Sequence, residues 1–160
     1  MGEISVRDAS AEDAHWVEEL LLENWGSPEA VSRGVVHRPA ELPGLVAERD
    51  GARRGLLTYR REGDACEIVT LDALDRRAGI GTALIDALVA RLHALGVKRL
   101  WLITTNDNLE ALRFYQRRGF VLAALHPGAI EASRRLKPVI PLVGHDGIPI
   151  RDELELERLL

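Results

Sequence analysis

Apolar positions along this chain recur in two rhythms, one helical and one extended, and the rhythm changes at glycines. Ala14, Val17, Leu20, Leu21 and Trp25 fall at helical spacing and stop at Gly26. Ser10 is a good N-cap for that helix, with Asp13 three residues on as an imperfect capping box. Ser27-Pro28-Glu29 predicts a second, shorter helix, because proline is tolerated at a first helical position. Ile4–Arg7 reads as a first strand. Gly44–Arg49 and Arg54–Arg61 read as two strands joined at Asp50-Gly51, a hairpin dipeptide. A strand over 65–73 and a long helix follow. The helix carries Ile80, Ala83, Leu84, Ala87, Leu88, Leu92 and Leu95 on one face and ends at a C-cap, Gly96.

Val97–Thr104 is expected as a buried strand. Asn106-Asp107-Asn108 opens the next helix, with Asp107 and Glu110 at capping-box spacing, and Gly119 closes it. Phe120–Leu125 is a strand, Pro127–Leu136 a helical excursion, 137–147 a proline-marked loop, and Ile148–Leu156 a final strand. Strands first, then alternating helices and strands, predict an α/β fold: a mixed sheet with helices on both faces. At 160 residues, one domain over 1–160 is expected.

The segment Arg76-Arg77-Ala78-Gly79-Ile80-Gly81-Thr82 joins the strand over 65–73 to the long helix. A helix start directs unpaired N–H groups and the positive dipole end at an anion. Gly79 and Gly81 would let the backbone approach it, and the two arginines add charge, which reads as a pyrophosphate cradle. The alternative is a turn that binds nothing. A P-loop is excluded because Thr82-Ala83, not Lys-Ser/Thr, follows the last glycine, and a dinucleotide fold would need a third glycine near Leu84.

Arg-x-x-Gly-x-Gly after a strand resembles the acyl-CoA loop of the GNAT N-acetyltransferase superfamily. Asn108-Leu109-Glu110-Ala111-Leu112-Arg113-Phe114-Tyr115-Gln116-Arg117-Arg118-Gly119-Phe120 is similar to that family's Asn-x-x-Ala-x-x-Phe-Tyr-x-x-x-Gly-Phe helix. The tail Gly-Ile-Pro-Ile-Arg-Asp-Glu also resembles a bacterial branch of the family. The resemblance implies a GNAT fold with a twisted mixed sheet of about seven strands. It implies acetyl transfer from acetyl-CoA to a primary amine of a small molecule or peptide, with no metal. Ala78, Ile80 and Thr82 join Arg76, Arg77, Gly79 and Gly81 in the expected cofactor loop. Asn108 matches the asparagine on the pantetheine arm, with helix capping as its alternative. Leu71 and Ala73 would offer backbone groups to the same arm. Asp72 departs from the His or Asn often found there, and Ala73-Leu74 replaces the usual proline.

Strict alternation over 65–73 puts Glu67 on a face with Ala65, Val69, Leu71 and Ala73, an acid among apolar neighbours. Burial would raise its pKa and make it a better base. The Glu-Ile-Val start also resembles the histone-acetylating branch, where that Glu is the base. A strand-opening Glu paired with an arginine is the alternative. Tyr115 matches the tyrosine that protonates the departing thiolate; a packing tyrosine is the other reading. Asp152 interrupts the apolar face of the last strand and, with Asp146 and His145, could read a cationic acceptor or hold the loop by a salt bridge. Trp25 and Glu29, at the break between the first two helices, could form the opposite wall by resemblance to the family, with a core position as the other reading of Trp25, and Asp72 completes the acceptor candidates.

Composition changes this picture little. Apolar residues make up 46% and charged residues 29%, and a net charge of −4 gives no electrostatic case for nucleic acid or an anionic membrane. The other arginine pairs, Arg117-Arg118 among them, read as solvated faces. Cys66, the single cysteine, excludes an internal disulfide and is expected to be buried and inert, against a covalent acyl-enzyme. With no basic-apolar leader and no membrane-length run, the expectation is a cytoplasmic protein. Family members often pair through their last strands, so the resemblance raises a homodimer. The rival readings are a catalytically silent acyl-CoA-binding sensor or interaction module, and an ATP-binding domain. The acceptor is not legible.

Overall fold

The computed structural model describes residues 2–75 and 78–160; Arg76 and Arg77 lie outside them. Nine strands are described: β1 (Ser5–Asp8), β2 (Ala30–Ser32), β3 (Val35–His37), β4 (Gly44–Arg49), β5 (Ala52–Glu62), β6 (Ala65–Ala73), β7 (Arg99–Thr105), β8 (Val121–His126) and β9 (Glu153–Leu159). Four α-helices join them: α1 (Ala14–Trp25), α2 (Ile80–Ala94), α3 (Leu109–Gln116) and α4 (Ala129–Leu136). Seven strands form one sheet in the order β1-β4-β5-β6-β7-β9-β8, and β2 and β3 form a separate hairpin. Only β6 and β7 run parallel.

The helices divide between the two faces. Val17, Leu20 and Leu21 of α1 bury against Val46 and Leu56. On the other side Ile80, Leu84, Ile85 and Leu88 of α2, with Tyr115 of α3, pack on Leu45, Leu57, Cys66 and Ile68. Each such aliphatic side chain contributes about 1.5–3 kcal/mol by leaving water. Gly26 ends α1 in the left-handed region, as its position after Trp25 predicts. Asp13 accepts the Ser10 N–H at 2.8 Å, one half of a capping box. No helix among the described residues is long and apolar enough to cross a membrane.

Three expectations are corrected. The chain after Pro28 is not a helix but the β2–β3 hairpin. Arg33 and Gly34 both have positive φ (48° and 73°), the requirement of a tight two-residue hairpin turn, and β-branched Val31, Val35 and Val36 favour extended backbone on either side. The last strand begins at Glu153 rather than Ile148, because Asn106 fastens 149–152 as a loop. Its Oδ1 accepts from the Arg151 and Asp152 amides, and its Nδ2 donates to the Pro149 carbonyl. Asn108, not Asp107, caps α3, accepting the Ala111 N–H at 3.1 Å. Asp107 turns instead to Thr105 Oγ1 and the His145 amide.

Candidate active site

One extra residue in β6 shapes the site. Thr58 pairs with Thr70 and Tyr59 with Ile68, so Val69 is left over as a bulge. A bulge bends its strand and resets which face each side chain takes. Pairing of β6 with β7 runs from Ala65↔Arg99 to Ile68↔Leu102 and stops there. Beyond the bulge, the backbone of Val69–Ala73 has no strand partner on its β7 side, and a wedge opens between the two parallel strands. The unbroken alternation expected from the sequence is therefore wrong across this point. Cys66, Ile68 and Leu71 face α2. Thr70, bonded to Thr58 Oγ1 at 2.6 Å, and Asp72, bonded to Trp25, face α1. Glu67 shares that second face.

Glu67 sits at the vertex of the wedge and is only 2% exposed. Ser32 Oγ donates to its Oε2 at 2.6 Å, and the same Oγ stands 3.0 Å from His37 Nε2. Arg60 Nη2 lies 3.9 Å and His37 Nε2 4.0 Å from Oε1. Burial pushes the Glu67 carboxyl above its ordinary pKa, against the Ser32 bond and Arg60, while the Glu153 and Glu155 charges push the same way as burial. Both features weighed for Glu67 are thus present, the raised pKa and an arginine neighbour. Glu153, also buried, accepts from the Arg33 amide at 3.2 Å and from its Nη1 at 3.1 Å. That clamp holds the hairpin tip over Glu67. Ser32, Arg33, His37 and Glu153 escaped the sequence reading, which expected a short helix after Pro28 and gave none of the four a role. The available signal was Arg33-Gly34 between β-branched residues.

Asp72 is also buried. Its Oδ1 accepts from Asn24 Nδ2 at 3.1 Å and Trp25 Nε1 at 3.0 Å, and its Oδ2 is enclosed with no partner among the described residues. Burial raises its pKa, and the two hydrogen bonds oppose that. Trp25 therefore leaves the apolar stripe of α1 and spends its indole N–H on Asp72, with its ring half exposed. Tyr115 is buried edge-on between Phe114 (centroids 5.2 Å apart) and Phe120 (5.4 Å). Burial, reinforced by the Asp72 charge, holds its phenol well above the ordinary tyrosine pKa, so it stays protonated at neutral pH. Cys66 is buried with its thiol pushed up to about 12, mainly by burial, which removes it as a nucleophile.

The α2 N-terminus lies after Gly79, whose φ is +84°. The N–H groups of a first helical turn have no partner within the helix. Among the described residues a Cβ on Gly79 would meet only Ile4 Cδ1, at 3.8 Å, ordinary contact that leaves the approach open on their side. Gly81 differs: a Cβ there would stand 2.8 Å from Phe114 Cζ, so the absence of a side chain at this glycine admits α3. Ala78 accepts from Arg49 Nη2 at 3.2 Å. Arg118 donates to Thr82 Oγ1 at 2.7 Å and stacks on Phe114 with 3.7 Å to the ring centroid. Arg49 and Arg118, neither singled out from the sequence, bring positive charge beside the helix start, and Ile80 is buried beneath it.

The remaining candidates scatter. Glu29 lies 3.8 Å from Arg38. Asp146 is exposed on a turn with φ 56°. Asp152 accepts the Gly128 N–H at 2.8 Å, where its charge favours the start of α4, and pairs with Arg151 at 3.2 Å. Among the described residues neither Asp146 nor Asp152 bonds to Glu67, Asp72 or Tyr115.

This arrangement has relatives. The chain is 40% identical over 147 residues to the uncharacterized protein YdhI of Bacillus subtilis (strain 168), covering 91% of this chain and 92% of that protein. Its fold is similar to that of an IAA acetyltransferase from Bacillus cereus ATCC 14579, with TM-score 0.78, 20% identity, and 99% and 100% of the two chains covered. It is similar also to a GNAT family acetyltransferase from Elizabethkingia anophelis with acetyl-CoA bound, with TM-score 0.71, 15% identity and 98% of each chain covered. The sequence profile of the acetyltransferase (GNAT) family matches residues 5–120, spanning the wedge, the α2 start and Tyr115, and the chain belongs to that family.

Proposed function

We propose that this protein transfers the acetyl group of acetyl-CoA to a primary amine of a small molecule or peptide by direct attack. The observation that carries the reading is the buried Glu67 carboxyl at the vertex of the β6–β7 wedge. The fit to acetyl-CoA rests on two features. The free edge of Val69–Ala73 can pair with an extended amide-bearing arm, as an added strand would. The open α2 start at Gly79, flanked by Arg49 and Arg118, suits a pyrophosphate. Asn108 and the backbone of Leu71 and Ala73 border the arm; Arg76 and Arg77 belong to the same loop.

Acetyl-CoA supplies an activated acyl carbon. Glu67, its pKa raised by burial, takes a proton from the acceptor ammonium, so the nitrogen lone pair becomes available. The N–C bond forms as the C–S bond breaks, the Tyr115 hydroxyl protonates the thiolate, and the second nitrogen proton replaces the one Tyr115 gave up, leaving the amide, the thiol and one proton on Glu67. On this reading Trp25 and Asp72, bonded to each other, stand on the acceptor wall, while Glu29, Asp146 and Asp152 are acceptor candidates by family resemblance alone. At neutral pH the exchange of an ammonium for an amide and a thiol releases one proton per turnover.

The test begins with thermal unfolding in acetyl-CoA, CoA and ATP. A ligand at 100 times its Kd stabilises the fold by about 2.7 kcal/mol. Stabilisation by both CoA species but not ATP is expected. Thiol release from acetyl-CoA with a panel of primary amines then identifies an acceptor, and Glu67→Gln is expected to remove the acid limb of the pH–rate profile. Stabilisation by ATP instead, or by none of the three, overturns the reading. CoA binding without acetylation of any amine makes the protein an acyl-CoA-binding module.

A further inference from the structure

The fold treats the two carboxylate oxygens of Glu67 differently. Oε2 accepts the Ser32 hydroxyl at 2.6 Å. Oε1 accepts no hydrogen bond among the described residues: Arg60 Nη2 at 3.9 Å and His37 Nε2 at 4.0 Å both stand beyond hydrogen-bond reach. A hydroxyl has one proton to donate. While Glu67 is ionised, Ser32 spends that proton on Oε2, so its 3.0 Å contact with His37 Nε2 is the opposite bond, Nε2–H donating to Oγ. Donation therefore runs one way, from His37 on β3 to Ser32 on β2 to Glu67 on β6. A neutral imidazole fills this place only in the tautomer with hydrogen on Nε2. We propose that His37 and Ser32 are positioning residues, which hold the Glu67 carboxylate by Oε2 and reserve Oε1 as the atom that takes the acceptor's proton. The assignment rests on the acetyl-transfer reading above.

No proton travels along this chain. An ammonium N–H bond breaks, an Oε1–H bond forms, and the two hydrogen bonds behind Oε2 keep their direction. The surroundings suit a neutral His37. It is buried, and burial with the Arg60 charge holds its pKa below the ordinary value, so at neutral pH it donates a hydrogen bond without setting a full positive charge beside the base. An imidazolium there would depress the Glu67 pKa and weaken it as a base. The Ser32 bond and the Arg60 charge favour the ionised carboxylate, while burial and the Glu153 and Glu155 charges oppose them and keep the pKa raised. The charged and titratable groups facing Glu67 are thus His37 from β3, Arg60 from β5, and Glu153 and Glu155 from β9, with Arg33 of the hairpin tip already taken by Glu153. That clamp holds the tip independently of Ser32, so removing the Ser32 hydroxyl frees the carboxylate without unfastening its cover.

Two measurements test this. The first needs no turnover: nitrogen-15 NMR of the His37 ring at neutral pH is expected to show a neutral imidazole with its proton on Nε2. A proton on Nδ1 alone, or on both nitrogens, overturns the positioning chain. The second follows kcat and kcat/KM against pH for wild type, Ser32→Ala, Ser32→Thr, His37→Leu and His37→Gln, with acetyl-CoA and the amine the wild type acetylates fastest. Ser32→Ala and His37→Leu are expected to lower kcat at least about tenfold with KM for acetyl-CoA unchanged, because the base is no longer aimed. In Ser32→Ala the acid limb of kcat/KM is also expected to move to higher pH, since the lost bond favoured the carboxylate. Ser32→Thr keeps the hydroxyl and His37→Gln keeps an N–H donor, and each is expected to recover most of the loss. A packing role alone would leave the acid limb in place. Wild-type kcat with an unmoved limb in folded Ser32→Ala overturns the assignment. If His37→Leu fails to fold, the Ser32 pair and the His37 tautomer decide. An Nδ1 tautomer in an active enzyme removes only the chain, whereas a wild type that acetylates no amine, with the Nε2 tautomer in place, removes the function and the role of Oε1 together.

Discussion

A Cβ on Gly81 would stand 2.8 Å from Phe114 Cζ, which puts the first turn of α2 in direct contact with the aromatic face of α3. The two family motifs, one at the α2 start and one on α3, are thus packed against each other. Arg118 ties the same junction, bonded to Thr82 and the Phe114 carbonyl while stacked on the Phe114 ring.

Gly81→Ala should therefore overpack this junction and destabilise the fold by roughly 1–3 kcal/mol. Phe114→Leu in the same chain should recover part of that loss, since neighbouring substitutions couple. Urea unfolding of the two single variants and the double variant measures the coupling. A Gly81→Ala midpoint equal to wild type would mean the helices have room to part.

Tyr115→Phe removes only the hydroxyl and leaves the ring between Phe114 and Phe120. On the proposed mechanism kcat falls roughly tenfold to a hundredfold and KM for acetyl-CoA is unchanged. Steady-state thiol release decides, and an unaltered kcat would leave Tyr115 with a packing role alone.

Asp13 concerns stability rather than chemistry. It is buried and bonded to both Arg7 and Arg53, at 2.8 and 2.9 Å, and the Arg7 bond above all holds its carboxyl well below the ordinary pKa. A depressed folded-state pKa stabilises the protein fully above the unfolded value, near ~3.9, and the gain is lost as pH falls through the folded value. Asp13→Asn should cost roughly 1–3 kcal/mol at neutral pH, reduced by the partial exposure of both arginines. Urea midpoints across an acid pH series should converge for the two proteins at low pH. Equal midpoints at neutral pH would show that the network contributes nothing net.

Much of this protein was legible residue by residue. The stripe on α1, the Asp50-Gly51 turn, the bounds of β6 and the Gly79 helix start all depend on neighbours a few positions away, and such signals are local. The Asn108–Phe120 motif located Tyr115 for the same reason. Local signals failed where two local preferences competed. Pro28 could open a helix, but Arg33-Gly34 and the valines around it favoured a hairpin, and the Glu153 clamp 120 residues away secured it.

The sequence by itself determined which segments are helix or strand across most of the chain, and which short motifs mark its family. Tertiary structure alone decided what meets Glu67. The bulge at Val69 depends on pairing with β5, and it turned Glu67 away from the Leu71 face and onto that of Asp72. Ser32, His37, Arg60 and Glu153 reach that carboxyl or its cover from four other strands, β2, β3, β5 and β9. A side chain's phase along one strand is a local property, whereas its burial, its partners and its pKa come from the elements that close around it.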